Sequence, residues 1–311
     1  VSTDSVSTSG AVVIKAVSDN SATATTPGGG GGGVSITVMV PTATVTGATR
    51  ALALGKVASS ASITVQALGE NTATASATVA NLSVFGLSGA IATATVGSDA
   101  DVDAQVGSGA SLASSGLVWV ESRLQGTRND ARATVLGATG GGILAGALMV
   151  TAATVAGSVS AALDGTVTAS SAVTVEASGE NDAVADTKSI TVGMFAGAGA
   201  GAGAEISSDA DVRATIAGTV TTSGIVTVRA TSDNDADAQS DVASGGLGAG
   251  GINLPGAEVS GSTEAGHYGT VTGATVVNVT AVSSNRAVAA AAIITIGGIS
   301  GAGASSNADV T

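Results

Sequence analysis

The residues of this 311-residue chain best suited to chemistry are its acids, and they come in alternating sets. Asp99, Asp101 and Asp103 stand two apart, as do Asp209 and Asp211, and Asp233, Asp235 and Asp237 flank Asn234. Period two puts such carboxylates on one face of a strand. Hard oxygen ligands at that spacing suit Ca2+, which makes Asp99, Asp101, Asp209 and Asp211 the candidate calcium ligands. No other cofactor is indicated. The chain contains neither an EF-hand loop nor the glycine-rich nonapeptide of calcium-binding β-rolls, and solvated outward faces account for the same acids.

A second cluster is basic. The stretch Glu121–Arg132 holds Arg123, Arg128 and Arg132 and follows the only Trp, Trp119. A β-helical polysaccharide lyase would need such arginines beside acids in a groove. The preferred reading is an extruded loop with internal ion pairs, in which Trp119, Arg123, Arg128 and Arg132 form an interaction patch. The machinery of catalysis is otherwise missing from the sequence. The single His, His267, adjoins the single Tyr, Tyr268, and reads as a local substitution at a strand end. No His pair has metal-ligand spacing, and no glycine-rich loop runs into Lys-Ser or Lys-Thr. The chain is expected not to be an enzyme.

Composition narrows the partners. Net charge is −13 with only 10 basic residues, so the chain has no nucleic-acid footprint. Cysteine is absent, which excludes disulfides and thiolate metal sites. Aromatics are 1% and Gly is 46 of the residues, so the core must be thin and built from Val, Ile, Ala and Thr, which suit strands. Ala133 to Leu163 is uncharged and long enough to span a membrane. Equivalent Gly/Ala/Val stretches recur along the chain, and helices so rich in Gly and Thr make a poor membrane domain, so no transmembrane span is expected.

The elements that position these residues are repeats. Strand phrases begin at Val12, Ile63, Val118, Val173, Val226 and Val277, in steps of 51, 55, 55, 53 and 51, each followed by an Asn: Asn20, Asn71, Asn129, Asn181, Asn234 and Asn285. The outward position after the second apolar residue is polar in all six: Lys15, Gln66, Glu121, Glu176, Arg229 and Thr280. The next, inward position is small: Ala16, Ala67, Ser122, Ala177, Ala230 and Ala281. A one-residue slip would bury the charges, so register is specified. The Asn is expected in a polar turn, and Gly28 to Gly33 in a loop. The alternating run Ala196 to Ala204 is expected to be ordered and silk-like, with a Gly face and an Ala face. A fixed period of this size signals stacked units that cannot bury their apolar faces alone. The predicted fold is all-β: a repetitive β-solenoid of about six units of roughly 53 residues, read as one continuous array over 1–311 and as a fragment of a longer chain. Stacked long β-hairpins are the alternative.

Gly224-Ile225-Val226-Thr227-Val228-Arg229-Ala230 resembles the coils of filamentous-haemagglutinin-type adhesins. The Gly/Ala-rich stretches with Asp211-Val212-Arg213-Ala214 resemble very long repetitive surface proteins of bacteria. The resemblance covers nearly the whole chain, although the 53-residue unit and the silk-like run depart from short-coil haemagglutinin repeats. It implies an extracellular or cell-surface bacterial solenoid used as a fibre or adhesin shaft. Expected partners are further repeats or copies of itself, head to tail, and a cell surface or glycan. The alternative function is a repeat-face binding module for ice, Ca2+ or glycan. The mixed residues at equivalent outward positions argue against a lattice-matched face.

Overall fold

A computed structural model describes residues 5–311, apart from the side chains of Gln125, Gly126 and Thr127. Val1 therefore lies outside the described residues. The described chain is all-β, with strands in three sheets. Every strand pairing is parallel. Antiparallel pairing between hairpins, the alternative reading, is thus not how neighbouring strands bond. Ala133 to Leu163 runs through the strand ending at Val155, a short corner and the strand Val159–Leu163, and among the described residues no helix is long and apolar enough to cross a membrane.

Each pass of the chain visits the sheets in the same order. A long segment such as Ser62–Val96 or Ile225–Val259 belongs to the first sheet. A five-residue strand such as Val102–Val106 or Val212–Ile216 belongs to the second, and a short one such as Ser111–Ala113 or Thr219–Thr221 to the third. Pairing joins residues one sequence period apart: Val173 lies opposite Val226, and Val226 opposite Val277. Val173, Val175 and Ala177 are buried while Thr174 and Glu176 are only half-buried, so the pleat puts one set inside and its neighbours outside as the sequence pattern predicts.

The long segments are not straight. Each runs out and folds back on itself, as the bond from Asn81 Nδ2 to Leu87 O at 3.0 Å shows. In the fourth pass, Thr187 Oγ1 donates to Gly201 O at 2.9 Å across the same fold. The result is a flat arm of two limbs beside a broader body. Gly32, at φ +125°, takes the left-handed backbone at one reversal, where a side chain would be strained. The Gly28–Gly33 stretch is a correction: Gly28–Gly32 pairs in register with Val79–Ser83 rather than forming a free loop, and the chain reverses only at its end.

Two buried clusters correspond to body and arm. In the body, Val175 of the first sheet, Leu163 and Ile216 of the second, and Val167 of the third meet in one core. In the arm, Ala183 and Ala185 of an outgoing limb share a core with Ala202 and Ala204 of the returning one. The Ala196–Ala204 run is ordered within the strand Phe195–Ile206, with its alanines buried.

Candidate functional site

The asparagines stand where body meets arm, and here sequence reasoning erred. The strands continue through all six rather than turning. The middle four side chains are buried and form a ladder through the molecule. Asn71 Nδ2 donates to Asn129 Oδ1 at 3.0 Å, Asn129 to Asn181 at 3.0 Å, and Asn181 to Asn234 at 2.8 Å. Asn20 and Asn285 complete it at either end, at 2.9 Å each. The second amide proton is also used: Asn71 and Asn129 donate to the corner carbonyls of Ala100 and Gly157 at 3.1 and 3.2 Å. An amide is small enough for the interior and carries both donor and acceptor, so identical copies satisfy one another at strand spacing.

The Arg cluster lies one position along, on the outside. Asp130, Asp182 and Asp235 stack in one column, with Arg286 at its end. Like charges directly opposite destabilise a sheet. Arg128 offsets this by reaching Asp182 at 3.3 Å and Glu180 at 3.9 Å, and Arg132 reaches both Asp130 and Asp182 at 3.9 Å. Arg286 meets Asp235 at 2.6 Å. Burial pushes the Asp182 carboxyl above the usual range, Asp130 and Asp235 push the same way, and Arg128 and Arg132 oppose them. Arg123 instead pairs with Glu121 at 3.4 Å. Residues 125–128 stand where Glu70 alone lies on the neighbouring pass, an insertion of three residues. Trp119 is half-buried between Thr64 and Thr174, with its indole N–H enclosed and unpartnered. The predicted extruded loop is instead a bulge within a continuous strand: Arg123 and Arg132 pair inside the stretch, whereas Arg128 pairs with acids of the neighbouring pass.

The calcium candidates divide. Asp101, Asp209 and Asp211 line one shallow depression with Asp103 and Arg213, whereas Asp99 sits in an exposed turn. Asp209 also occupies a turn, so these acids do not alternate along one strand face as predicted. Asp101 Oδ1 accepts from the Ser158 amide and hydroxyl at 3.1 and 2.7 Å, and Asp211 Oδ1 accepts from Ser262 at 3.0 and 2.5 Å. Each ties its corner to the following pass. Burial, with a smaller push from Asp101, raises the Asp103 carboxyl, and Arg50 at 3.2 Å opposes both. Among the described residues, no three His, Cys, Asp or Glu side chains are grouped to hold a metal ion.

His267 extends the core-facing column that ends in Leu163 and Ile216, as a substitution at a strand end would. Tyr268 donates to Glu264, and this bond raises the phenol above its usual value. Sequence reasoning missed the arm tip. Val34, Phe85, Leu144 and Phe195 lie in one exposed column that includes both phenylalanines of the chain. Their spacing of 51, 59 and 51 residues was the available signal. No family model matches the chain, and no curated protein or solved structure matches it.

Proposed function

We propose that this chain is a β-solenoid, one continuous array of about six coils that serves as a structural extracellular fibre or adhesin shaft on a bacterial surface. The observation that carries the reading is the parallel register, which resumes after each local bulge, with an asparagine ladder running through every pass. Each coil offers the next the same strand edge and the same amide, so the geometry extends by repetition rather than closing around a ligand. Addition of more repeats, or of a second copy head to tail, is the proposed way in which this register extends. The acidic, cysteine-free composition and the resemblance to haemagglutinin-type coils support the extracellular setting. The proposed role is mechanical, providing length and rigidity without catalysis.

Electron microscopy with light scattering on native material tests this. Elongated particles whose length grows with the number of repeats are expected. Compact monomers with both ends closed would remove the shaft reading and favour a soluble binding module.

A further inference from the structure

The two outer faces of the arm carry a pattern with a period of two passes. On the outgoing limb, one column reads Gly31, Leu82, Gly140, Val192, Gly245, Ile296. On the returning limb, another reads Val38, Gly89, Leu148, Gly199, Ile252, Gly303. Large and absent side chains alternate in both, and the two columns are out of phase. In every pass, the face that bears a large residue lies behind a face that bears glycine. The large residues stand in solvent: Leu82, Val192 and Ile296 are 75%, 58% and 71% exposed, and Val38, Leu148 and Ile252 are 69%, 62% and 57% exposed.

The folding of one chain explains only part of this. A Cβ on Gly140 would come within 2.6 Å of Leu82 Cδ2, and one on Gly199 within 3.1 Å of Leu148 Cδ1. Those glycines make room for a neighbour that leans over them. Gly89 has no such duty, since a Cβ there would meet nothing closer than 3.9 Å, and one on Gly303 would meet nothing within 4 Å. With strands about 4.8 Å apart, large residues in alternate passes leave gaps of roughly 10 Å between their axes. A side chain of a facing sheet enters a gap of that size, as in a dry interdigitated zipper.

We propose that copies of this chain pair side by side through their arms, the outgoing face of one on the returning face of the next, at matching passes. In that register Leu82 enters the gap over Gly89, Val192 that over Gly199, and Ile296 that over Gly303. Val38, Leu148 and Ile252 enter the gaps over Gly31, Gly140 and Gly245. The two columns lie about two residues, roughly 7 Å, apart along the strands, so the copies are related by a translation with a sidestep of that length. The same translation repeats, because the contact is heterologous and leaves both outer faces free.

Charge and area favour a second copy as the occupant. The returning limbs carry no charged residue from Val34 to Val45, from Phe85 to Val96 or from Ile143 to Val155. Such a face suits another apolar face better than a charged partner. Six strands at about 4.8 Å by six residues at about 3.3 Å give roughly 600 Å2 per copy. That is about 1,200 Å2 in total, the lower bound of specific interfaces, and further passes would add to it. This inference goes beyond the shaft reading, since a single six-pass unit would pair as well.

Cysteine cross-linking on the full chain tests it, because the chain has no cysteine of its own. Copies carrying Leu82→Cys are mixed with copies carrying Gly89→Cys and oxidised. The mixed disulfide is expected to form much faster than one between Leu82→Cys and Gly199→Cys, two passes away. In sedimentation, wild type should associate with rising concentration. Gly89→Val, whose Cβ would meet nothing closer than 3.9 Å within the chain, should weaken association on the order of tenfold while its circular dichroism is unchanged. Equal cross-linking at both positions, a monomeric wild type, or a Gly89→Val protein that associates like wild type would overturn the proposal. Particle length is not read by these measurements, so failure here leaves the shaft reading standing, and the reverse holds too.

Discussion

Body and arm obey the same alternation yet pack differently, and the difference lies in side-chain size. The body brings three sheets around Val, Ile and Leu. In the arm, two limbs lie flat against each other across two columns that are alanine in all six passes: Ala22, Ala73, Ala131, Ala183, Ala236 and Ala287, then Ala24, Ala75, Ala133, Ala185, Ala238 and Ala289. Period two decides which residues face inward, and their volume decides how far apart the sheets stand. A chain with few aromatics can therefore build a wide core and a thin one within a single pass.

The contrast can be broken at its wide end first. Leu163→Ala opens a cavity among residues at 0% exposure and should cost about 2–5 kcal/mol, read from chemical unfolding. At the boundary, Asn181→Leu leaves the amides of Asn129 and Asn234 without their partners and should cost roughly 2–4 kcal/mol. In the arm, Ala185→Leu should cost about 1–3 kcal/mol by overpacking. The same change at an outward arm position, such as Gly197→Leu, should cost far less. Equal effects would mean that the in-and-out assignment of the limbs is wrong.

Smaller effects sharpen the comparison at the surface. Asp182 holds its proton more tightly folded than unfolded, because burial and Asp130 raise its carboxyl. Stability should therefore fall as pH rises through the interval between the ordinary carboxylate value and the raised one. Asp182→Asn should flatten that slope in a pH series of melting curves and be no less stable than wild type above the interval. Last, Glu176→Thr on the outer face should change stability by under about 0.5 kcal/mol.

Much of the body was legible in the sequence. The six apolar phrases and their polar outward and small inward positions follow from alternation, whereas the period is shared by parallel coils and stacked hairpins, and only the structure pairs equivalent residues of successive passes. The arm was less so. A reversal near Gly141 or Gly193 is hidden in a background where glycine is common throughout, so the usual turn signal carries little contrast. The asparagines misled for a different reason. An Asn after a strand ordinarily marks a surface turn, and its ladder is visible only once six copies are brought into register. Asp101 and Asp211 likewise looked like metal ligands because their serine partners lie 57 and 51 residues away.

The asparagine ladder also gives the molecule a direction. All five amide bonds point the same way, from Asn20 toward Asn285. One end of the row therefore presents a carbonyl oxygen and the other an NH2 group. Bonds aligned head to tail polarise one another, so the row behaves as an electrical arrow along the stack. Two molecules meeting end to end match only when their arrows agree. That polarity is carried by a column of neutral side chains rather than by charged ones.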